Sequence, residues 1–108
     1  MSIENTLDKI KSQITSNSII LYMKGNSDSP RCGFSAKAVQ ALKSCNAKFA
    51  TVDVLENPDI RKTLPEYANW PTFPQLYING ELIGGCDIIL ELYSSGELLE
   101  MINQAKSA

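Results

Sequence analysis

Histidine is absent from this 108-residue chain, tryptophan occurs once and cysteine only three times. Without histidine, the chain itself offers no imidazole ligand to a metal. Cys32, Cys45 and Cys86 are spaced 13 and 41 residues apart, which fits no common structural zinc pattern and no disulfide framework. No apolar run approaches the roughly 20 residues that a membrane-crossing helix needs. Neither charge dominates: a net charge of −2 and a pI near 5.0 give no sequence-wide case for binding nucleic acid or an anionic membrane. Repeats, low-complexity tracts and interdomain linkers are missing as well. With 44% hydrophobic and 20% charged residues, residues 1–108 are expected to form one domain with a modest core. Met1 to Asn17 is mixed polar and acidic, unlike a signal or transit peptide. A reducing compartment, the cytoplasm, is the expected location.

What is present centres on Cys32-Gly33-Phe34-Ser35. It places one cysteine at the start of a helix, with serine where a redox partner cysteine would stand. A thiol there faces unpaired backbone N–H groups and the positive end of the helix dipole, which favour its thiolate. With no second cysteine three residues on, that thiolate closes no local disulfide and is left to bond an external partner. The alternative for a lone cysteine is an inert buried side chain; the polar loop before Cys32 and the helix after it weigh against that.

The periodicity orders the chain. Ile3, Leu7, Ile10 and Ile14 recur at helical spacing. Ser18 to Met23 is an apolar run that reads as a buried strand, and Lys24 to Arg31 is loop chemistry. A second helix is expected from Gly33 to Ser44, with Phe34, Ala38, Ala41 and Cys45 on one stripe. Phe49 to Val54 reads as a strand, and Asn57-Pro58 opens a helix running to about Tyr67. Gln75 to Ile78 and Glu81 to Ile83 flank Asn79-Gly80, a strong hairpin signal. After Gly84-Gly85, Ile88 to Tyr93 is helical; Gly96 breaks it, and a last helix carries Leu98, Leu99 and Ile102. The order is α-β-α-β-α-β-β-α-α. The β-α-β unit implies parallel strands and the closing hairpin an antiparallel pair. The expected fold is therefore α/β of the thioredoxin type, a mixed four-stranded sheet flanked by about five helices.

Lys24-Gly25, Pro30, Cys32 to Ser35, Trp70-Pro71-Thr72-Phe73-Pro74-Gln75 and Gly84-Gly85-Cys86-Asp87 follow in order along nearly the whole chain. In these motifs the chain resembles a monothiol glutaredoxin of the Cys-Gly-Phe-Ser class, a single glutaredoxin domain over residues 1–108. The resemblance implies that Cys32 is the catalytic thiol and the cluster ligand. It also implies a glutathione site formed by Lys24, Arg61, Thr72, Phe73, Pro74, Cys86 and Asp87. It further implies a labile [2Fe-2S] cluster bridging a homodimer, a BolA-like protein as partner, and apoproteins that receive iron–sulfur clusters. Neither nucleic acid nor membrane is an expected partner.

The chemistry of single residues supports these roles unevenly. By the resemblance Pro74 is cis, leaving the Phe73 backbone open to pair with an extended peptide; the lesser alternative, from position alone, is a proline that merely starts a strand. Lys24 and Arg61 suit the glycyl carboxylate of glutathione, Arg61 as a fork, although either alone reads as a solvated surface charge. Cys86-Asp87 opens a helix whose N–H groups suit the γ-glutamyl carboxylate. The Asp87 carboxylate suits the α-ammonium while also serving as an N-cap. Trp70 is assigned to packing rather than to the site wall. Cys45 is assigned a structural role, because ~1.5 Å of rise per residue puts it about 20 Å from Cys32. The role of Cys86 stays open.

Three functions remain at this stage. A [2Fe-2S] centre takes four thiolates, and with only Cys32 well placed, two chains and two glutathione thiols complete the set. A glutathione-dependent oxidoreductase needs only one cysteine, but by the resemblance the long loop before Cys32 marks a class poor at that reaction. A non-catalytic interaction module would need none of the glutathione positions. The first reading is the expected one, for iron–sulfur cluster transfer and iron homeostasis.

Overall fold

A computed structural model describes residues 3–107; Met1, Ser2 and Ala108 lie outside it, as do the side chains of Ile3, Lys106 and Ser107. The expected place of Ile3 on the first apolar stripe therefore falls outside the described side chains. The elements are α1 (Ile3–Ser16), β1 (Ile19–Met23), α2 (Gly33–Ser44), β2 (Ala50–Asp53), α3 (Pro58–Ala68), β3 (Gln75–Ile78), β4 (Glu81–Gly84), α4 (Cys86–Ser95) and α5 (Glu97–Ser107). Type and order agree with the sequence reading throughout, and boundaries differ by one or two residues at most elements.

The four strands lie in the order β2-β1-β3-β4. β1 and β2 are parallel, while β3 pairs antiparallel with both β1 and β4. This is the mixed sheet of a thioredoxin-like fold. β1 is buried along its whole length because both sheet faces are covered, which explains its unbroken apolar run. Its side chains alternate between two cores. Ile19, Leu21 and Met23 pack with Ala38, Leu42, Ile89, Leu98 and Ile102 from α2, α4 and α5. Ile20 and Tyr22 pack with Ile10, Ile14, Ile60 and Leu64 from α1 and α3.

Local signals set the turns. Asn79 and Gly80 both take positive φ, 51° and 83°, as a tight two-residue hairpin between β3 and β4 requires. Pro58 stands in the first turn of α3, and Asn69 closes that helix in the left-handed conformation.

Two apolar assignments are corrected. Phe34 does not join the buried stripe of α2; it is 60% exposed, and the stripe consists of Ser35, Ala38, Val39, Ala41, Leu42 and Cys45. Leu99 is also exposed, whereas its neighbours Leu98 and Ile102 are buried. In each case the core needs only one stripe of the helix, and an adjacent position about 100° away faces outward.

Candidate functional site

The site begins where β1 ends. Lys24 follows the strand, and its carbonyl accepts a 2.9 Å hydrogen bond from the Arg31 N–H. A single antiparallel bridge pairs Gly25 with Pro30, so the polar stretch between them is a closed loop. Inside it, the Asn26 side chain accepts from the N–H groups of Asp28 and Ser29 at 3.0 and 2.8 Å. Gly25 has φ of +90°, and a Cβ there would meet the Ser29 carbonyl at 2.5 Å, so glycine is required. Its N–H donates to the Asp53 carboxylate at 3.0 Å, tying the loop to the end of β2. The loop delivers the chain to Cys32.

Cys32 is the extended N-cap residue of α2 and is partly exposed. Its thiol pKa is lowered chiefly by the backbone N–H of Ser35, against a smaller opposing effect of burial. The Phe34 N–H, the Lys24 charge and the Ser35 hydroxyl lower it further. These are the unpaired donors of a helix N-terminus acting on a sulfur, as the sequence position implied. Ser35 itself is buried, and its hydroxyl accepts a 3.1 Å bond from the Lys24 N–H.

The facing wall is Trp70 to Pro74. The Phe73-Pro74 peptide bond is cis, as the resemblance implied, and among the described residues the Phe73 backbone has no hydrogen-bond partner. The third side is the N-terminus of α4, entered through Gly84 and Gly85. A Cβ on Gly85 would lie 3.3 Å from both the Pro74 carbonyl oxygen and the Trp70 indole nitrogen. The close approach of these two walls accounts for a glycine there.

Between these elements lies an open cleft of about 540 Å³, within the size range of small-ligand sites. Lys24, Cys32, Arg61, Thr72, Phe73, Pro74, Cys86 and Asp87 all line it. The topology thus brings together every residue proposed for the site. Asp87 does not cap α4 as expected: Gly85 is the N-cap, no side chain among the described residues caps that helix end, and Asp87 stands inside the first turn. Lys24 and Arg61 therefore supply cations, Asp87 an acid, and α4 a helix N-terminus without a side-chain cap, a set suited to an extended zwitterionic peptide bearing carboxylates.

Trp70 is corrected from packing to cleft wall. It is half-buried, and its indole N–H is buried without a hydrogen-bond partner among the described residues. Pro65, near the end of α3, and Ile88 of α4 also line the cleft and carried no signal in the sequence. The signal for Trp70 was its place at the head of the Pro71 to Gln75 segment. Phe34 stands at the cleft edge, next to Cys32, for the same reason that it leaves the core.

The other two cysteines differ from Cys32. Cys45 is buried at the end of α2, with its pKa raised by burial, as a structural residue would be. Cys86 is buried and lines the cleft. Its pKa is raised first by burial and then by the negative charges of Asp87 and the Cys32 thiolate, with Lys37 opposing. All three thiols are free. Among the described residues no group of three or more His, Cys, Asp or Glu side chains is placed to hold a metal ion, and no helix is long and apolar enough to cross a membrane.

Comparison with known proteins places the same elements in one family: the glutaredoxin family model matches residues 19–83, a span that holds Cys32, the loop before it and the cis proline. This chain belongs to the glutaredoxin family. Glutaredoxin 4 of Buchnera aphidicola subsp. Baizongia pistaciae is 65% identical over 97 residues, covering 90% of each chain. Glutaredoxin 4 of Escherichia coli K12 is 61% identical over 99 residues, 92% of this chain and 86% of that one. Among solved structures, reduced poplar apo GrxS14 superposes with a TM-score of 0.79 at 52% identity, covering 99% of this chain and 95% of that one. With Ser35 in place of a second cysteine, the protein is a monothiol glutaredoxin, and glutaredoxins are a glutathione-binding family.

Proposed function

We propose that this glutaredoxin binds glutathione in the cleft and, through Cys32, shares a labile [2Fe-2S] cluster between two chains for delivery to recipient apoproteins. The observation that carries the reading is the contrast between Cys32 and the other thiols. Cys32 is partly exposed and thiolate-favoured beside Lys24, whereas Cys45 and Cys86 are buried with raised pKa. One chain therefore offers one good sulfur ligand. A [2Fe-2S] centre takes four, so two Cys32 thiolates and two glutathione thiols fit the donor count. When bound, the cluster supplies iron and sulfide for transfer, and ligation partly by a free tripeptide suits release.

The cleft residues have separate tasks in this reading. The backbone of Thr72 and Phe73 pairs with the peptide edge of glutathione. Lys24 and Arg61 hold its glycyl carboxylate, and the α4 N-terminus with Asp87 and the Cys86 backbone holds its γ-glutamyl end. Ser35 keeps the chain from closing a disulfide on Cys32. A BolA-like protein can replace the second glutaredoxin and bring the histidine that this chain lacks. The cytoplasm, as a reducing compartment, keeps Cys32 available for ligation.

Anaerobic reconstitution with iron, sulfide and glutathione tests this, followed by visible absorption and gel filtration, with Cys32→Ser as control. The expected result is a coloured dimer that requires both glutathione and Cys32. A colourless monomer with strong glutathione exchange activity would favour a second reading, supported by the lowered pKa of Cys32. In that reading the Cys32 thiolate attacks the glutathione sulfur of a mixed disulfide and releases the protein thiolate. A second glutathione thiolate then attacks the Cys32-glutathione disulfide, releasing oxidised glutathione and regenerating Cys32. Neither colour nor exchange would leave a binding module without redox chemistry.

A further inference from the structure

Gln75 is wholly buried, yet nothing in the chemistry of Cys32 uses it. Its Nε2 donates to two carbonyls of the cleft wall, Trp70 at 2.9 Å and Thr72 at 3.2 Å. Its Oε1 accepts a 3.0 Å bond from the Tyr77 hydroxyl. Carbonyls can only accept, so the amide nitrogen must face the wall and the oxygen must face Tyr77. Tyr77 is in turn fixed by edge-to-face packing on Tyr22, with ring centroids 5.7 Å apart, and the Tyr22 hydroxyl donates to Gln13 at 2.7 Å. Burial raises the pKa of both tyrosines, so both hydroxyls stay protonated donors.

The wall has reason to need such a clamp. Pro71 and Pro74 have no N–H, so the Trp70 to Pro74 segment is poor in donors with which to build a ladder of its own. A buried side chain supplies the missing bonds from behind.

We propose that Gln75 is a positioning residue for glutathione: its carboxamide, oriented by Tyr77, draws the Trp70 and Thr72 carbonyls inward and holds the Phe73 backbone open to the cleft. This rests on the reading of the cleft as the glutathione site. Gln75 and Tyr77 touch no ligand; they act through the wall. Loss of the clamp releases two carbonyls to seek water, and Trp70 moves with them.

The test is calorimetric titration of the intact protein with reduced glutathione under anaerobic conditions. It compares wild type with Gln75→Met, Gln75→Glu and Tyr77→Phe. Gln75→Met is expected to weaken binding about tenfold and Tyr77→Phe about twofold to threefold, since fixing a loop in its bound form mainly lowers the cost of binding. Gln75→Glu, whose buried carboxyl donates at most one hydrogen bond where the amide donates two, is expected to weaken binding in the same direction as Gln75→Met. Two further readouts separate positioning from general loosening. Trp70 is the single tryptophan, so its emission is expected to shift to the red and become more quenchable by acrylamide. The pH profile of Cys32 alkylation is expected to stay unchanged, because α2 and Lys24 are not in the clamp. Wild-type affinity in the folded variants would overturn the proposal, and so would an affinity loss accompanied by a shifted Cys32 profile. If Gln75→Met does not fold, the other two variants decide on the same criteria. No glutathione binding by wild type would overturn the reading of the cleft itself, with the Trp70 emission still reporting whether Gln75 holds the wall.

Discussion

The Ser35 hydroxyl, buried in the first turn of α2, accepts a 3.1 Å hydrogen bond from the backbone N–H of Lys24 at the end of β1. The residue that makes this glutaredoxin monothiol therefore also joins the strand end to the helix that carries Cys32. A thiol at 35 accepts that bond poorly, but it stands one helical turn from Cys32. Ser35→Cys is expected to form an internal disulfide on mild oxidation and to lose glutathione-dependent cluster retention. Mass spectrometry before and after alkylation checks this; full cluster retention with no internal disulfide would refute it. Ser35→Ala is expected to cost about 1–2 kcal/mol in denaturant unfolding, from the unpaired Lys24 N–H.

Alkylation should single out Cys32. The N–H groups of Ser35 and Phe34 and the Lys24 charge lower its pKa, whereas burial raises those of Cys45 and Cys86. The iodoacetamide rate against pH is expected to have its midpoint below that of an ordinary thiol, with one label per chain near neutral pH. Lys24→Gln should move the midpoint up modestly, since backbone donors contribute more than the lysine. The folded-state pKa lies below the unfolded one, so the thiolate's contribution to stability is present above the unfolded pKa. That contribution is lost as pH falls through the folded value.

Gly84 has φ of +149°, and a Cβ there would meet the Ile88 side chain at 2.7 Å. Gly84→Ala therefore combines backbone strain with a clash against the helix that presents Asp87. A loss of about 1–3 kcal/mol is expected in chemical denaturation, together with weaker glutathione binding. A variant as stable as wild type would show that β4 and α4 can part without cost.

Lys9 and Asp59 join α1 to α3 through a 2.7 Å ion pair, and the Thr6 hydroxyl adds a 3.3 Å bond to the same carboxylate. The Lys9 bond holds the Asp59 pKa below its usual value, with the backbone N–H of Ile60 helping against burial. Because the folded pKa is depressed, the stabilisation is present above the ordinary aspartate range near pH ~4 and fades as pH falls through the folded value. Asp59→Asn is expected to cost about 0.5–1 kcal/mol at pH 7, a value suited to a partly exposed pair. Thermal melts should show the two proteins converging in acid.

Much of the fold was legible because it is locally specified. The unbroken apolar run of β1, the Asn79-Gly80 turn and the Pro58 helix start each depend on backbone preference or side-chain period within a few residues. Cys32 was legible for the same reason: a loop before it and a helix after it define its donors. Phe34 and Leu99 were misread because periodicity counts apolar residues without knowing which ones the core has room for, and Trp70 because a large aromatic in a loop shows nothing of the wall it faces.

The sequence by itself determined the element order, the monothiol motif and the family, since these depend on neighbours along the chain and on residue identity. Only the tertiary structure decided that Lys24, Cys32, Arg61, Thr72 and Asp87 share one cleft, that the buried Cys86 lines it too, and that Gln75 bonds two carbonyls of its wall. Those relations depend on the β2-β1-β3-β4 strand order and the packing of α2 and α4 on one sheet face. Contacts of that kind join residues distant along the chain, and neither spacing nor composition encodes the distances between them.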